Sequence, residues 1–306
     1  MLTNLDASSE LFLTDVSRIQ RRLTDSTREA SSGKRMTAAS DRPDEIAPLL
    51  QLRSEKQRNL QIQSNLTLAK TDADAADNAL NSSIKLMDRA LTLATQGSNS
   101  ILDATGRQSL ASEVRSLQEQ MVAFSQTTVQ GRYIFSGDRD LSPSYALDLT
   151  ATSGVTQLLA APATCRIEDP AGGSFASSKA AQEIFDTRDV NGDPAADNVF
   201  AALNGLRLAL ESNDPDAAAS SIPSLKAASD HLNAMQSFYG TIQNRIRDAS
   251  DFASSYDVQL KTEIGDKEDA DVTAAALEAT QASTQLQAAF QMRAKLPHTS
   301  LFDYLG

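Results

Sequence analysis

Leu66, Ala69, Ala73, Ala76, Leu80, Ile84, Met87, Leu91 and Ala94 follow one another at intervals of 3 and 4 without a break. Such intervals return to one side of an α-helix, whereas a strand would place its buried residues at every second position. The stretch predicts one long helix with a single apolar face. Similar stripes recur at Phe12, Val16, Ile19 and Leu23; at Leu110, Val114, Leu117, Met121 and Phe124; and at Val199, Leu203, Leu206 and Leu210. Another runs from Leu225 through Ala228, Leu232, Met235, Tyr239, Ile242, Ile246, Ala249, Ala253 and Tyr256 to Leu260. The last carries Val272, Ala276, Ala279, Ser283, Leu286 and Phe290. At ~1.5 Å per residue, a helix of about fifty residues would be ~75 Å long. Many seam positions are alanine, which buries little area at ~25 cal/mol per Å². Helices of this kind depend on several neighbours.

Stop and start signals divide the stripes. Ser31-Ser32-Gly33 ends the first, because glycine tolerates the left-handed conformation of a helix terminus. Ser40 or Asp41 can cap the next, with Pro43 in its first turn and Asp44 and Glu45 at the positive end. Gly97 closes that helix, and the third segment is expected to run to Gly131. Asn213-Asp214-Pro215 reads as a turn, Gly265-Asp266-Lys267 as a break, and Pro297 as the final stop.

Between about 132 and 198 the character changes. Counted with Gly131, this stretch holds six of the thirteen glycines, and it holds four of the nine prolines. Short β-type runs appear at Tyr133-Ile134-Phe135, Leu147-Asp148-Leu149-Thr150 and Cys165-Arg166-Ile167. The expected fold is mainly α: a long antiparallel helical bundle or coiled coil formed by the N- and C-terminal regions, with a small β-containing central insert. The divisions fall at 1–40, 41–131, 132–198, 199–262 and 263–306.

The net charge of −12 over 306 residues argues against a protein held to phosphate by its overall field, and against a basic membrane-surface helix. Tryptophan is absent and aromatics make up 5%, so base-stacking platforms are not expected. No run of ~18 apolar residues exists to span a membrane. Neither nucleic acid nor membrane insertion is expected. Cys165 is the single cysteine, and His231 and His298 are the only histidines. That leaves no disulfide framework and little for a metal centre, so no metal and no cofactor are expected. Met1-Leu2-Thr3-Asn4-Leu5-Asp6 has no basic start leading into an apolar run, so no secretory signal peptide is expected.

Each candidate for chemistry has a plainer reading. Gly33-Lys34-Arg35 lacks the earlier glycine of a phosphate loop and reads as a helix stop. Asp189-Val190-Asn191-Gly192-Asp193 resembles part of a calcium loop, but Thr187 stands where a ligand belongs and Asn198 replaces the closing glutamate. It reads as a turn. His231 reads as a partly exposed helical histidine, and Cys165 as a free thiol in a strand. No Gly-x-Ser-x-Gly elbow appears. No catalytic constellation forms, and no enzyme is expected.

The tail Leu301, Phe302, Tyr304 and Leu305 is apolar where chain ends are usually polar, which favours a docking surface over a packed end.

Taken together, the chain resembles the bacterial flagellin superfamily. Ala30-Ser31-Ser32-Gly33-Lys34-Arg35 leading to Ala39-Ser40-Asp41-Arg42-Pro43 is similar to the family's helix, turn and restart. Gly131-Arg132-Tyr133-Ile134-Phe135-Ser136-Gly137 is similar to its exit into the insert, and Asn198-Val199-Phe200-Ala201-Ala202-Leu203 to its re-entry. Gly240-Thr241-Ile242-Gln243-Asn244-Arg245 resembles a stretch of its C-terminal helix. The ending Ser300-Leu301-Phe302-Asp303-Tyr304-Leu305 is similar to that of the members at the hook–filament junction and unlike that of filament flagellins.

The resemblance implies a structural component of the flagellum, an adaptor ring between hook and filament. The filament subunit itself is the alternative, and a cytoplasmic coiled-coil scaffold or chaperone the remote one. It implies self-association in a ring or helical layer, contact with other hook-associated proteins and flagellin, and an export chaperone. It implies passage through the flagellar type III apparatus to the cell exterior. Residues 1–40 and 263–306 would be polymerisation segments that are disordered alone and fold within the assembly. The expected interface residues are Phe12, Val16, Ile19 and Leu23 pairing with Leu286 and Phe290, together with Leu301, Phe302, Tyr304 and Leu305.

Overall fold

A computed structural model describes residues 7–36 and 43–295. The elements run α1 (Ala7–Ser32), α2 (Pro43–Gly97) and α3 (Ala104–Ser125). Then follow β1 (Thr128–Val129), β2 (Arg132–Tyr133), β3 (Tyr145–Leu147), β4 (Val155–Gln157), β5 (Arg166–Glu168), β6 (Ser174–Ala176) and α4 (Ala181–Phe185). The chain closes with α5 (Val199–Glu211), α6 (Pro215–Glu268) and α7 (Val272–Lys295). It divides into two units, residues 1–58 with 256–306 and residues 59–255.

Local signals account for most boundaries. Gly33 has φ 68°, and its N–H returns to the Glu29 carbonyl at 2.9 Å, ending α1 in the left-handed turn that glycine permits. Pro43 opens α2 as expected. The proposed caps Ser40 and Asp41 lie outside the described residues. Asn198 caps α5 by accepting from Ala201 N–H at 2.9 Å, and Asp214 caps α6 by accepting from Asp216 and Ala217 N–H, both at 2.9 Å.

Two boundaries differ from expectation. α3 stops at Ser125 rather than running to Gly131. The hydroxyls of Ser125 and Thr127 donate to the Val122 and Phe124 carbonyls, both at 2.7 Å, and the β-branched pair Thr128–Val129 enters a strand. Gln130 (φ 52°) and Gly131 (φ 80°) then form the two-residue turn of the β1–β2 hairpin. Gly131 is therefore a hairpin residue and not a helix stop. At the other end, α6 continues through Gly265-Asp266-Lys267 and breaks after Glu268.

In the unit 59–255, α3 packs on α5. Val114, Leu117 and Met121 share one continuous core with Leu203, Leu206 and Leu210, with Leu80 and Met87 of α2, and with Leu225, Leu232 and Ile246 of α6. The seam positions read from the sequence are the buried or half-buried ones throughout these four helices. α2 and α6 run antiparallel here. Asn59 and Gln63 both donate to the Ala253 carbonyl (2.8 and 3.0 Å), and Gln243 donates to Asp74 at 2.9 Å. Arg107, 4% exposed, donates to the carbonyls of Gly97 and Asn99 and to Asn213 Oδ1 (3.0, 2.8 and 2.7 Å). One guanidinium thus closes the α2–α3 turn and ties it to the α5–α6 turn.

The insert consists of three two-stranded antiparallel ribbons, β1–β2, β3–β4 and β5–β6, and the short helix α4. Ribbons this small do not hold alone. Aromatic rings anchor them: Phe135 meets Phe185 and Tyr239 edge-on at 5.7 and 6.4 Å, and Tyr145 lies 5.2 Å from Phe200. Within this cluster the fully buried Asp186 carboxylate accepts from Tyr145 Oη (3.0 Å), Arg188 Nη2 (2.7 Å) and Asn198 Nδ2 (2.8 Å). Burial, with the Asp186 charge beside it, pushes the Tyr145 hydroxyl far above its ordinary pKa.

Candidate assembly interface

In the unit 1–58 with 256–306, α1 and α7 pack together. They run antiparallel: Ser9 meets Arg293 (2.6 Å), Phe12 meets Phe290, and Arg22 meets Glu278 (3.0 Å). The Phe12 and Phe290 rings stand edge to face with centroids 6.3 Å apart, and the Arg293 guanidinium lies 5.5 Å from the Phe12 centroid. The Arg22–Glu278 pair is about half exposed on both sides and adds little.

The structure brings together only part of the expected set. Val16 is buried, Phe12, Ile19, Leu23 and Leu286 are half-buried, and Phe290 is 50% exposed despite its contact with Phe12. Leu301, Phe302, Tyr304 and Leu305 lie outside the described residues. On α7 the stripe itself differs. Ala275 and Ala282 are buried and Ala279, Ser283, Leu286 and Ala289 half-buried, while Val272 and Ala276 are exposed. The packed face is therefore Ala275, Ala279, Ala282, Ser283, Leu286 and Ala289. It keeps Ala279, Ser283 and Leu286 of the expected stripe, while Val272 and Ala276 of that stripe fall outside it. In an alanine-rich helix several faces have nearly equal hydrophobicity, and close approach to α1 selects the one with the smallest side chains.

This choice leaves large apolar side chains in solvent. Leu11 and Leu13 of α1, and Leu277, Phe290 and Met292 of α7, are each at least half exposed. Each buried alanine methyl contributes on the order of 1 kcal/mol or less. The pair is thus thinly cemented inside and apolar outside, which suits a surface completed by other molecules.

A polar latch, not anticipated from the sequence, closes the same unit. Arg35 N–H donates to the Glu268 carbonyl at 2.8 Å and Ala270 N–H to the Gly33 carbonyl at 2.9 Å, forming an antiparallel bridge between Lys34 and Asp269. The Glu268 carboxylate, 8% exposed, is paired with Lys34 Nζ and with Arg53 Nη2 at 2.7 Å. The Arg35 guanidinium donates to the last carbonyls of α6, Lys267 at 2.9 Å and Asp266 at 3.2 Å, and sits 3.5 Å from Glu45. Gly33-Lys34-Arg35 does end a helix, and it also docks the two interhelical segments on each other. The nearest sequence signal was Gly265-Asp266-Lys267, which read as a break.

Hydrogen bonds from Lys34 and Arg53 hold the Glu268 pKa below the ordinary glutamate value. A carboxylate with a depressed folded-state pKa stabilises the fold above its unfolded value. That contribution is lost as pH falls through the folded one. The latch is therefore expected to be complete at neutral pH and to weaken below the ordinary carboxylate range. Glu268→Gln should cost about 2 kcal/mol at neutral pH and flatten the acid limb. Hydrogen exchange of α1 and α7 against pH measures both, and an unchanged acid limb in the variant refutes the assignment.

The remaining candidates fall into place as structure. Asp189 accepts from Asn191 and Asp193 N–H at 2.9 and 3.0 Å, which makes the calcium-like segment an Asx-braced turn. Cys165 is an exposed free thiol just before β5. His231 is more engaged than expected: Nε2 lies 2.9 Å from the Glu183 carbonyl and Nδ1 3.4 Å from Asp197, linking α6 to the insert. Among the described residues no group of three or more His, Cys, Asp or Glu side chains could hold a metal ion, and no helix is long and apolar enough to cross a membrane.

This arrangement has counterparts. The model of the bacterial flagellin N-terminal helical region matches residues 3–140, and that of the C-terminal helical region matches residues 222–305. Flagellar hook-associated protein 3 of Escherichia coli strain K12 is 22% identical over 292 residues, covering 90% of each chain. The fold is shared with hook-associated protein 3 of Legionella pneumophila, with a TM-score of 0.60 and 12% identity over 71% of this chain and 98% of that one. It is also shared with FlgL of Bacillus cereus, with a TM-score of 0.56 and 19% identity over 73% of this chain and 100% of that one. The two matched regions contain the terminal helices, the Gly33–Arg35 turn and Glu268, and lie on either side of the remaining insert residues. The chain belongs to the bacterial flagellin superfamily.

Proposed function

We propose that the chain is the structural subunit of an adaptor layer joining hook to filament in the bacterial flagellum. The observation that carries this reading is the likeness to hook-associated protein 3 along 90% of both chains, insert included. The α1–α7 pair supports it, because a thin seam with a large exposed apolar set suits a role that copies and neighbours complete. The role is architectural and needs no catalytic group.

On this reading residues 1–40 and 263–306 are the polymerisation segments. Residues 41–131 and 199–262 form the helical support, and residues 132–198 face outward. Phe12, Val16, Ile19, Leu23, Leu286 and Phe290 set the pairing of the terminal helices, and Leu301, Phe302, Tyr304 and Leu305 dock on a neighbour. Partners are further copies in a ring or helical layer, other hook-associated proteins, flagellin, and a chaperone during type III export to the cell exterior.

Deletion of the gene tests the function. Loss of motility with unpolymerised flagellin shed into the medium is the expected result, and intact filaments would sink the proposal. Purified subunits that grow alone into micrometre-long filaments would show a filament flagellin instead.

A further inference from the structure

The sequence holds two Asn-Gly pairs, Asn191-Gly192 and Asn204-Gly205. A glycine after asparagine leaves its backbone nitrogen unshielded by any Cβ. That nitrogen can attack the asparagine carboxamide, making such pairs thermally labile. Local sequence treats the two pairs alike; the fold does not.

Asn204 is 1% exposed, in the middle of α5. Its Nδ2 donates to the Thr152 carbonyl at 3.0 Å, and its Oδ1 accepts from Arg207 at 2.8 Å and Gln118 at 3.2 Å. The carboxamide is locked, and the helix ladder occupies the Gly205 N–H. Reaction there requires opening the core of the unit.

Asn191 and Gly192 are exposed on the turn between α4 and α5, beside a Val190 left entirely in solvent. The Gly192 N–H makes one surface turn bond, to the Asp189 carbonyl at 3.1 Å, and the Asn191 amide one contact, to Asp189 Oδ2 at 3.2 Å. Turn bonds at a surface open at little cost compared with those of a core helix.

We propose that Asn191 is a site of spontaneous deamidation in the native protein and that Asn204 is protected by the fold. The Gly192 nitrogen forms a bond to Asn191 Cγ, and the bond from Cγ to the side-chain nitrogen breaks. Ammonia leaves, carrying the proton lost by Gly192 through solvent. Water then opens the five-membered imide at either carbonyl, giving aspartate or isoaspartate. The balance is asparagine plus water to an acid plus ammonia. Either product adds a negative charge beside Asp189 and Asp193. Isoaspartate also lengthens the main chain by one carbon, which removes the bracing of the turn by Asp189.

The test is ageing of the native full-length chain in mildly alkaline buffer. Cleavage after Phe200 separates the pairs onto different peptides for mass spectrometry, and isoaspartyl methyltransferase labels the product. Conversion at 191 is expected to exceed that at 204 by roughly tenfold or more. In urea the two rates should converge, and Asn191→Ser should remove the native methyltransferase signal from the peptide that carries residue 191. Equal native rates, a large difference that persists in urea, or a signal surviving on that peptide in the variant would each overturn the proposal.

Discussion

Leu286→Asp is expected to remove the chain from flagella while leaving residues 59–255 folded. Leu286 continues the packed stripe of α7 one turn beyond the fully buried Ala282, at the level of Val16 on α1. A carboxylate there loses the leucine contact and must be desolvated against an apolar seam without a partner, a penalty of several kcal/mol. The buried apolar side chains Val16, Ala275 and Ala282 together contribute a comparable amount. The pairing therefore has no reserve to absorb the change. Immunoblots of sheared flagella should show the variant missing, and hydrogen exchange of the unit 59–255 should match the parent chain. Leu286→Met, which conserves volume, should assemble normally. Normal incorporation of the aspartate variant would exclude Leu286 from the pairing.

Asp186→Ala should destabilise the unit 59–255 by about 3–5 kcal/mol. The carboxylate is fully buried and organises groups from β3, the α4–α5 connection and the cap of α5. Its removal strands the Tyr145 hydroxyl in a core, leaves the Asn198 amide only the Thr187 carbonyl (2.9 Å) as acceptor, and frees Arg188 of its counter-charge. Asn198 also caps α5, so the loss reaches the helix start. Tyr145→Phe, which deletes one donor and keeps the ring packed on Phe200, should cost only about 1–2 kcal/mol. Urea denaturation of both variants, followed by circular dichroism, measures the difference. A cost under about 1 kcal/mol for Asp186→Ala would show that the cluster does not organise the insert.

Legibility followed the range of the interactions involved. The stripes of α3, α5 and α6 were readable because leucines, isoleucines and aromatics there stand out against polar neighbours. The turn at Asp214 and the stop at Gly33 depend on bonds within four residues, so the sequence carries them directly. Gly131 was misread because a glycine serves equally well after a helix or inside a hairpin. The deciding residues were the β-branched Thr128 and Val129 before it.

The sequence by itself determined a mainly helical chain, most but not all of the positions where its helices start and stop, and a turn-rich insert between them. Periodicity, capping and backbone preference act over a few residues and need no partner. Only the tertiary structure decided which face of alanine-rich α7 meets α1. Glu268 joins Lys34 and Arg53, and Asp186 gathers Tyr145, Arg188 and Asn198, on the same terms. Such contacts join residues far apart in the chain or choose among nearly equal faces, and their energy exists only when the helices are already side by side.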